Sequence, residues 1–451
     1  MATFTKKQLL TLCCLSMSTT ASLAQEVDNI QGSFGALSNQ INRDIGDVPG
    51  NRFIGDLRFT YEEDRSDRLE RKLDIASQVN DQGLVQYSLQ EMYLNDRGVF
   101  RGFDNVTKVG DQMKFGRQNL DWSHIDAHWG LGKLNNRRNF DFFDPGQEGL
   151  IGINYVNKFY NGFFFNLWGS GLYVPETNPG QEINKKKGTI TSRSAWGNPP
   201  ARTTEIEGID TRINYEVDYP NLMDVPFRFS VGIAAGVETD HWLTSAYFMR
   251  KPENSPSVQV EVNLDEDADV VNALVNPQFY YHDVFGGNVK YRNADVEVYA
   301  GGIGIFPQAL PDGNVQATTY TELKTAKRRE AYLGFGITKQ NDLYGMGFNY
   351  IARVSPFDRD EDNLATDPRW NQAVNFTLSR NFKKGFKLMG DVKYDMLTTD
   401  RLVMLRGGYQ VSKALLMTLG VNMIGTPTDG KSFWSPYTNN DMLFVGLRYL
   451  Y

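Results

Sequence analysis

Cysteine is almost absent from this chain of 451 residues, and the two present, Cys13 and Cys14, stand side by side near the start. A cysteine-ligated zinc centre, a disulfide framework and a thiolate nucleophile farther along the chain are thereby excluded. Histidine is nearly as scarce, occurring at His124, His128, His241 and His282. There is no phosphate-cradling glycine loop, no dinucleotide fingerprint and no metalloprotease helix motif. No apolar run reaches the roughly 20 residues that a membrane-crossing helix needs. Positive charge is in deficit, with 47 Lys and Arg against 54 Asp and Glu, for a net charge of −7, which argues against nucleic acid as a partner.

What the chain does have begins with MATFTKKQLLTLCCLSMSTTASLAQ. Lys6 and Lys7 precede a short apolar run from Leu9 to Leu15, and Ser22-Leu23-Ala24 has the small-x-small form of a cleaved export signal. We expect residues 1–24 to be removed. That segment carries two lysines and no acid, so the formal charge moves from −7 to −9.

Aromatic residues make up 13% of the chain and glycine contributes 42 positions, yet the mean hydropathy is negative. Strict alternation accounts for that combination. At the C-terminus Leu443, Val445, Leu447, Tyr449 and Tyr451 share one face at period two, opposite Gly446 and Arg448. FKLMGDVKYDM, RLVMLRGGYQV, LLMTLGVNM, AVNFTLS, LYGMGFNYIARV and AYLGFGIT repeat the pattern, with large apolar residues on one side and charged, small or amide residues on the other. Farther upstream GDLRFTYE, RLERKLDIAS, LVQYSLQEMYL, VGDQMKFGRQ, GIDTRINYEVD and FRFSVGIAAGVE read the same way, and Asn161-Gly162 marks a hairpin turn. Tight connections are expected at Phe382 to Gly385, Thr398 to Asp400, Ser412 to Ala414, Gln340 to Asp342 and Gly286-Gly287-Asn288. Long polar ones are expected at 120–148, 175–204, 356–370 and 426–439.

Segments of about ten residues, apolar on one face and polar on the other, with short turns alternating with long loops, predict an all-β fold: a transmembrane antiparallel up-and-down β-barrel of about 16–18 strands. The barrel is expected over 52–451, after a periplasmic segment at 25–51, with the strand count open between 240 and 330. Hydrocarbon offers no partner to a free sheet edge, so the last strand must pair with the first.

The terminal residues also carry a resemblance. Gly446, Tyr449 and Tyr451 are similar to the C-terminal insertion signal of Gram-negative outer-membrane proteins, although Phe444 stands where that pattern usually has a polar residue. The stretch FGRQNLDWSHIDAHWGLGKLN resembles a strand and Trp-rich loop of porin-like proteins. The resemblance implies a bacterial outer-membrane location, lipid and lipopolysaccharide around the barrel, and assembly by the barrel-assembly machinery.

The expected function is a channel for passive diffusion of small hydrophilic solutes, with no cofactor, no catalytic residue and a possible homo-oligomeric state. Its pore-lining candidates are Arg58, Lys114, Arg212, Arg228, Arg353, Arg406 and Arg448, facing Asp56, Asp210, Glu216, Asp391 and Asp395. Charges of both signs across a lumen set up a transverse field; the plainer reading of each residue alone is that it solvates or braces the wall. A non-conducting surface interaction protein using long loops is the second reading, and an outer-membrane hydrolase the third. His124 and His128, four apart, would form a metal pair only if their loop held a helical turn, and loop packing is the simpler expectation. Asp358, Asp360, Asp362 and Asn363 imitate the start of a calcium loop but lack its central glycine and distal glutamate.

Overall fold

The computed structural model describes residues 30–41, 53–64, 69–98, 111–206, 208–220, 225–265, 270–308, 315–316, 320–324, 329–355, 368–382, 385–427 and 432–450. The expected export signal, Asp358 to Asn363 and Tyr451 fall outside them.

In chain order the barrel begins with β1 (Ile30–Ile41), β2 (Phe53–Asp64), β3 (Leu69–Asn80), β4 (Val85–Arg97) and β5 (Gln112–Gln118). A long insertion follows, with helix α1 (His124–Trp129) and the short strands β6 (Asn136–Arg138) and β7 (Gly146–Glu148). The wall resumes with β8 (Leu150–Lys158) and β9 (Phe163–Ser170). After the outlying strands β10 (Gln181–Asn184), β11 (Thr189–Ser192), β12 (Thr203–Ile206) and β13 (Ile209–Val217) come β14 (Ser230–Glu238) and β15 (Trp242–Pro252). Two more outlying strands, β16 (Ser257–Asp265) and β17 (Val270–Gln278), precede β18 (Tyr281–Asn293) and β19 (Val296–Pro307), and then β20 (Val315–Gln316) and β21 (Tyr320–Lys324). The wall is completed by β22 (Glu330–Gln340), β23 (Tyr344–Arg353), β24 (Gln372–Phe382), β25 (Phe386–Asp395), β26 (Arg401–Ser412), β27 (Leu415–Gly425) and β28 (Met442–Leu450).

Eighteen of these strands form one closed antiparallel sheet. The ring shuts where β28 pairs with β1, from Ser33 opposite Leu450 to Ile41 opposite Met442. No edge is left for hydrocarbon to desolvate. The first strand therefore lies within 25–51, the segment expected to precede the barrel. Its sequence, IQGSFGALSNQI, lacks clear alternation; at one position, Gly35, a Cβ would sit 2.3 Å from Asp56 Oδ1 on the neighbouring strand.

Connections at one end are short, as at 159–162, 239–241, 294–295, 341–343 and 413–414. At the Asn161-Gly162 hairpin, Gly162 takes φ +84° and its N–H donates to Phe159 O at 3.0 Å. At the other end lie 119–149, 171–229, 253–280, 308–329, 354–371 and 426–441. Two expected turns are corrected. Gly286-Gly287-Asn288 is the middle of β18, where glycine makes room for the Tyr247 ring; the turn on Thr398 to Asp400 exists but joins strands at the long-loop end.

Alternation along the wall separates two environments. Phe376 on β24 is 54% exposed on the outside, and its neighbour Asn375 is fully buried inside. Leu333, Phe335, Ile337, Leu378, Leu405, Leu419, Leu443 and Val445 continue the apolar exterior. An exposed belt of this kind on a closed barrel marks a surface made for acyl chains.

Three long loops build a second, six-stranded sheet in the order β12-β13-β17-β16-β21-β20, with β13 and β17 parallel. GIDTRINYEVD belongs here, as β13, and not to the barrel wall. The sheet explains why 240–330 resists strand counting: strands of two different sheets alternate along it.

Candidate functional site: the lumen and its inner loop

Segment 119–149 folds into the barrel, and its local chemistry explains its shape. Ser123 caps α1 by accepting the Asp126 N–H at 3.2 Å, and Gly130 ends the helix in the left-handed region at φ +57°. The Asp126 carboxylate then accepts the N–H groups of Lys133 (2.8 Å) and Leu134 (3.0 Å), turning the chain back beneath its own helix.

The inner loop is apolar where it meets the wall. Trp122, Ile125, Trp129, Leu131 and Leu134 join inward residues of the strands, among them Met249, Val284, Ile303 and Ile351, in one buried cluster. Each fully buried large side chain contributes roughly 1.5–3 kcal/mol. Glycines open the wall to receive them: a Cβ at Gly232 would stand 3.0 Å from the Trp122 ring, and one at Gly334 would stand 3.4 Å from Ile125 Cδ1. Asn288 Nδ2 donates to Trp122 O, and His124 N donates to Asn288 Oδ1 at 3.2 Å.

Amides continue the anchorage around the wall. Tyr299 donates to Asn349 Oδ1 (3.0 Å), Asn349 to Asn375 Oδ1 (3.1 Å), and Asn375 to Asp391 Oδ1 (2.9 Å), while His128 Nε2 lies 3.3 Å from Asn375 Oδ1. The helical turn does form, and it directs both His124 and His128 toward the Tyr299 ring. Among the described residues no three potential ligands gather into a metal cluster.

Burial pushes the His128 imidazole down to about 4, helped by the nearby Lys393 charge, and pushes the Asp141 carboxyl up to about 6 against the pull of Arg406. His128 is therefore neutral at pH 7 and Asp141 is ionised.

A second inward piece, Ser194 to Trp196, packs Trp196 on Phe142 and Phe143 and is tied down by Asn440 Nδ2 donating to Ala195 O at 2.8 Å. Arg369 Nη2 donates to Phe142 O from a bed of Phe433 and Trp434 rings.

What stays open is a lateral slot of about 550 Å³. One wall is loop, with Phe140, Asp141, Asp144 and Trp196. The other is the seam of the barrel, with Asp56, Lys387, Arg406, Asn422, Phe444 and Arg448. Inner-loop residues thus pack inside the barrel, where the sequence suggests an open aqueous bore.

The expected pore residues divide accordingly. Asp56, Arg406 and Arg448 do line the slot, paired as Arg448 with Asp56 at 3.0 Å and Arg406 with Asp144 at 3.3 Å. Arg58 is held by Asp74 at 2.7 Å, and Lys114 stands over the Tyr93 ring. Asp391 belongs to the amide chain, and Arg353 ends β23 opposite Tyr332. Asp210, Arg212 and Glu216, expected in the pore, sit instead on β13 in the second sheet and not on the barrel wall. Arg228 precedes β14 and stacks on Phe279 of another loop. Asp395 is a buried turn organiser that accepts the N–H groups of Asn371, Leu397 and Thr398. Gly446 and Tyr449 lie on β28, in the closing seam.

Asp141, Asp144 and Trp196 were not legible as slot residues, whereas Asn422 falls on the polar face of LLMTLGVNM. The aromatic density of 119–149 is the one sequence signal that this loop has an apolar place to go.

No family model matches the chain, and no curated protein matches it. Among solved structures it is similar to OmpF of Salmonella typhi (11% identity, TM-score 0.42, covering 94% of this chain and 98% of that one). It is also similar to OpdQ of Pseudomonas aeruginosa (10%, TM-score 0.44, 94% and 96%) and to mutants of the Rh. blastica porin (11%, TM-score 0.36, 94% and 99%). The strand pairing, independent of any likeness, makes this chain a closed barrel of eighteen antiparallel strands.

Proposed function

We propose that the protein is an outer-membrane channel through which small hydrophilic solutes diffuse passively along the lateral slot. The observation that carries this reading is the combination of a closed barrel, apolar outside, with a slot lined by amides and charges within it. Placement in a Gram-negative outer membrane follows from the same exterior and from the insertion-signal resemblance at Gly446 and Tyr449. Planar-bilayer recording of the refolded full chain tests it. Stable conductance steps are expected, smaller than those of an unobstructed eighteen-stranded bore, and a silent bilayer overturns the reading.

The second sheet favours one further reading, a surface interaction protein whose loops form the contact. Selective binding to intact cells that is lost when 253–280 is replaced by a short turn, in a protein that conducts nothing, would establish it over the channel.

A further inference from the structure

One cation of the slot has no acid of its own. Lys387, on β25 and exposed in the slot, forms no ion pair among the described residues, whereas Arg448 is held by Asp56 at 3.0 Å and Arg406 by Asp144 at 3.3 Å. Strand register sets all three cations around one bare stretch of wall. Lys387 stands opposite Gly408, Gly408 opposite Thr418 and Thr418 opposite Gly446, so beyond the lysine this row carries no side chain larger than threonine. Arg406 lies two residues from Gly408 and Arg448 two residues from Gly446, each on the same face of its strand, and all of these residues line the slot.

Charge narrows the class of solute. Around this floor three cations face two carboxylates, Asp56 and Asp144, which leaves one positive charge. The other slot carboxylate, Asp141, is on the loop side and accepts the Phe143 N–H at 2.8 Å. The Arg448 side chain is 44% exposed, and its guanidinium has donors to spare for a second acceptor after Asp56. In a confined, poorly screened passage an uncompensated lysine beside such an arginine favours a single negative charge.

Apolar surface is exposed beside the charge. Met389, opposite Arg406, is 37% exposed, and Leu416, opposite Arg448, lines the same slot. Lys387 and Leu416 are each the second residue of their strand, so this part of the slot lies next to the short connections. Hydrocarbon on one side of a cationic floor gains nothing from a polyol or a bare inorganic ion and does gain from a body of a few CH₂ groups.

We infer that the short-turn half of the slot selects small monocarboxylates with a short hydrocarbon body, the carboxylate on Lys387 and Arg448 and the body along Met389 and Leu416. This deepens the channel reading and rests on the slot being the solute path.

Butyrate is the probe. Butan-1-ol and butylammonium keep its body and change the head, while formate and inorganic phosphate keep an anionic head without the body. The refolded full chain is recorded in a planar bilayer, and block of the chloride current is titrated with each. Butyrate is expected to block at the lowest concentration, formate and phosphate at higher ones, and the alcohol and the ammonium least. Lys387→Gln weakens butyrate and formate alike, by about tenfold. Met389→Ser leaves formate block and the chloride-to-potassium permeability ratio unchanged and weakens butyrate by roughly threefold. Phosphate or butan-1-ol as potent as butyrate, or butyrate block unchanged in both variants, overturns the inference. A conducting channel that butyrate does not block removes this inference alone, whereas a silent bilayer removes the channel reading and the inference with it.

Discussion

Two side chains of the inner loop respond to pH in opposite senses. The His128 imidazole, normally near 6.5, is held down to about 4 in the folded loop. Between those values the undocked loop binds the extra proton, so docking weakens as pH falls from about 6.5 to about 4, an effect reduced by the solvent that reaches the His128 ring. Asp141 is raised from 3.8 to about 6. Here the docked form binds the extra proton, so docking is strongest below pH 3.8 and weakens as pH rises through about 6. The two act in opposite directions between about pH 4 and 6. His128→Asn leaves Asp141 unopposed, and its channel should become tighter on acidification. Asp141→Asn does the reverse and should become leakier. Single-channel recordings at stepped pH check both, and parallel pH profiles for the two variants contradict the assignment.

Elements were unequally legible in the sequence. Strands β22 to β28 read directly because one face meets lipid and the other meets polar groups. From β14 to β19 the inward face is itself apolar in its outer half, at Tyr247, Met249, Val284, Ile303 and Ile305, because it packs the inner loop. Period two fades when both faces are greasy. Strand β1 was illegible because its sequence, IQGSFGALSNQI, does not alternate cleanly, with Gly35 at one position making room for Asp56. The charges on β13 alternate correctly but belong to the second sheet, since alternation reports a two-faced strand without saying which sheet it joins. Slot residues such as Trp196 reach the lumen through loops, whose path no periodicity encodes. One prediction belongs at this scale. Asp126→Ala removes the acceptor of two backbone bonds, each worth roughly 1.5–3 kcal/mol to a charged group, and should free the inner loop without opening the barrel. Larger, noisier conductance steps and new protease cuts within 119–149 are expected, and an unchanged conductance with no new cut refutes the role given to Asp126.

At the scale of the whole molecule, the barrel's two surfaces are tested by residues on two adjacent strands. Phe376→Arg sets a charge among acyl chains and should cost roughly 2–4 kcal/mol near the midplane, measured by denaturant unfolding from vesicles. Lys387→Gln, on the slot side of the adjacent strand, should leave stability within about 0.5 kcal/mol and shift ion selectivity toward cations. Equal stability losses from the two would mean that the exterior is not in lipid.

The parallel contact between β13 and β17 has a temporal consequence. It joins stretches that enter the sheet on either side of β14 and β15, and β21 arrives only after β19 has been laid down. The second sheet cannot be completed from any one connection; its three contributors come together only when the wall strands between them are in place. The outermost pairing of the second sheet thus waits on the wall itself, and this sheet is the last part of the protein to be completed.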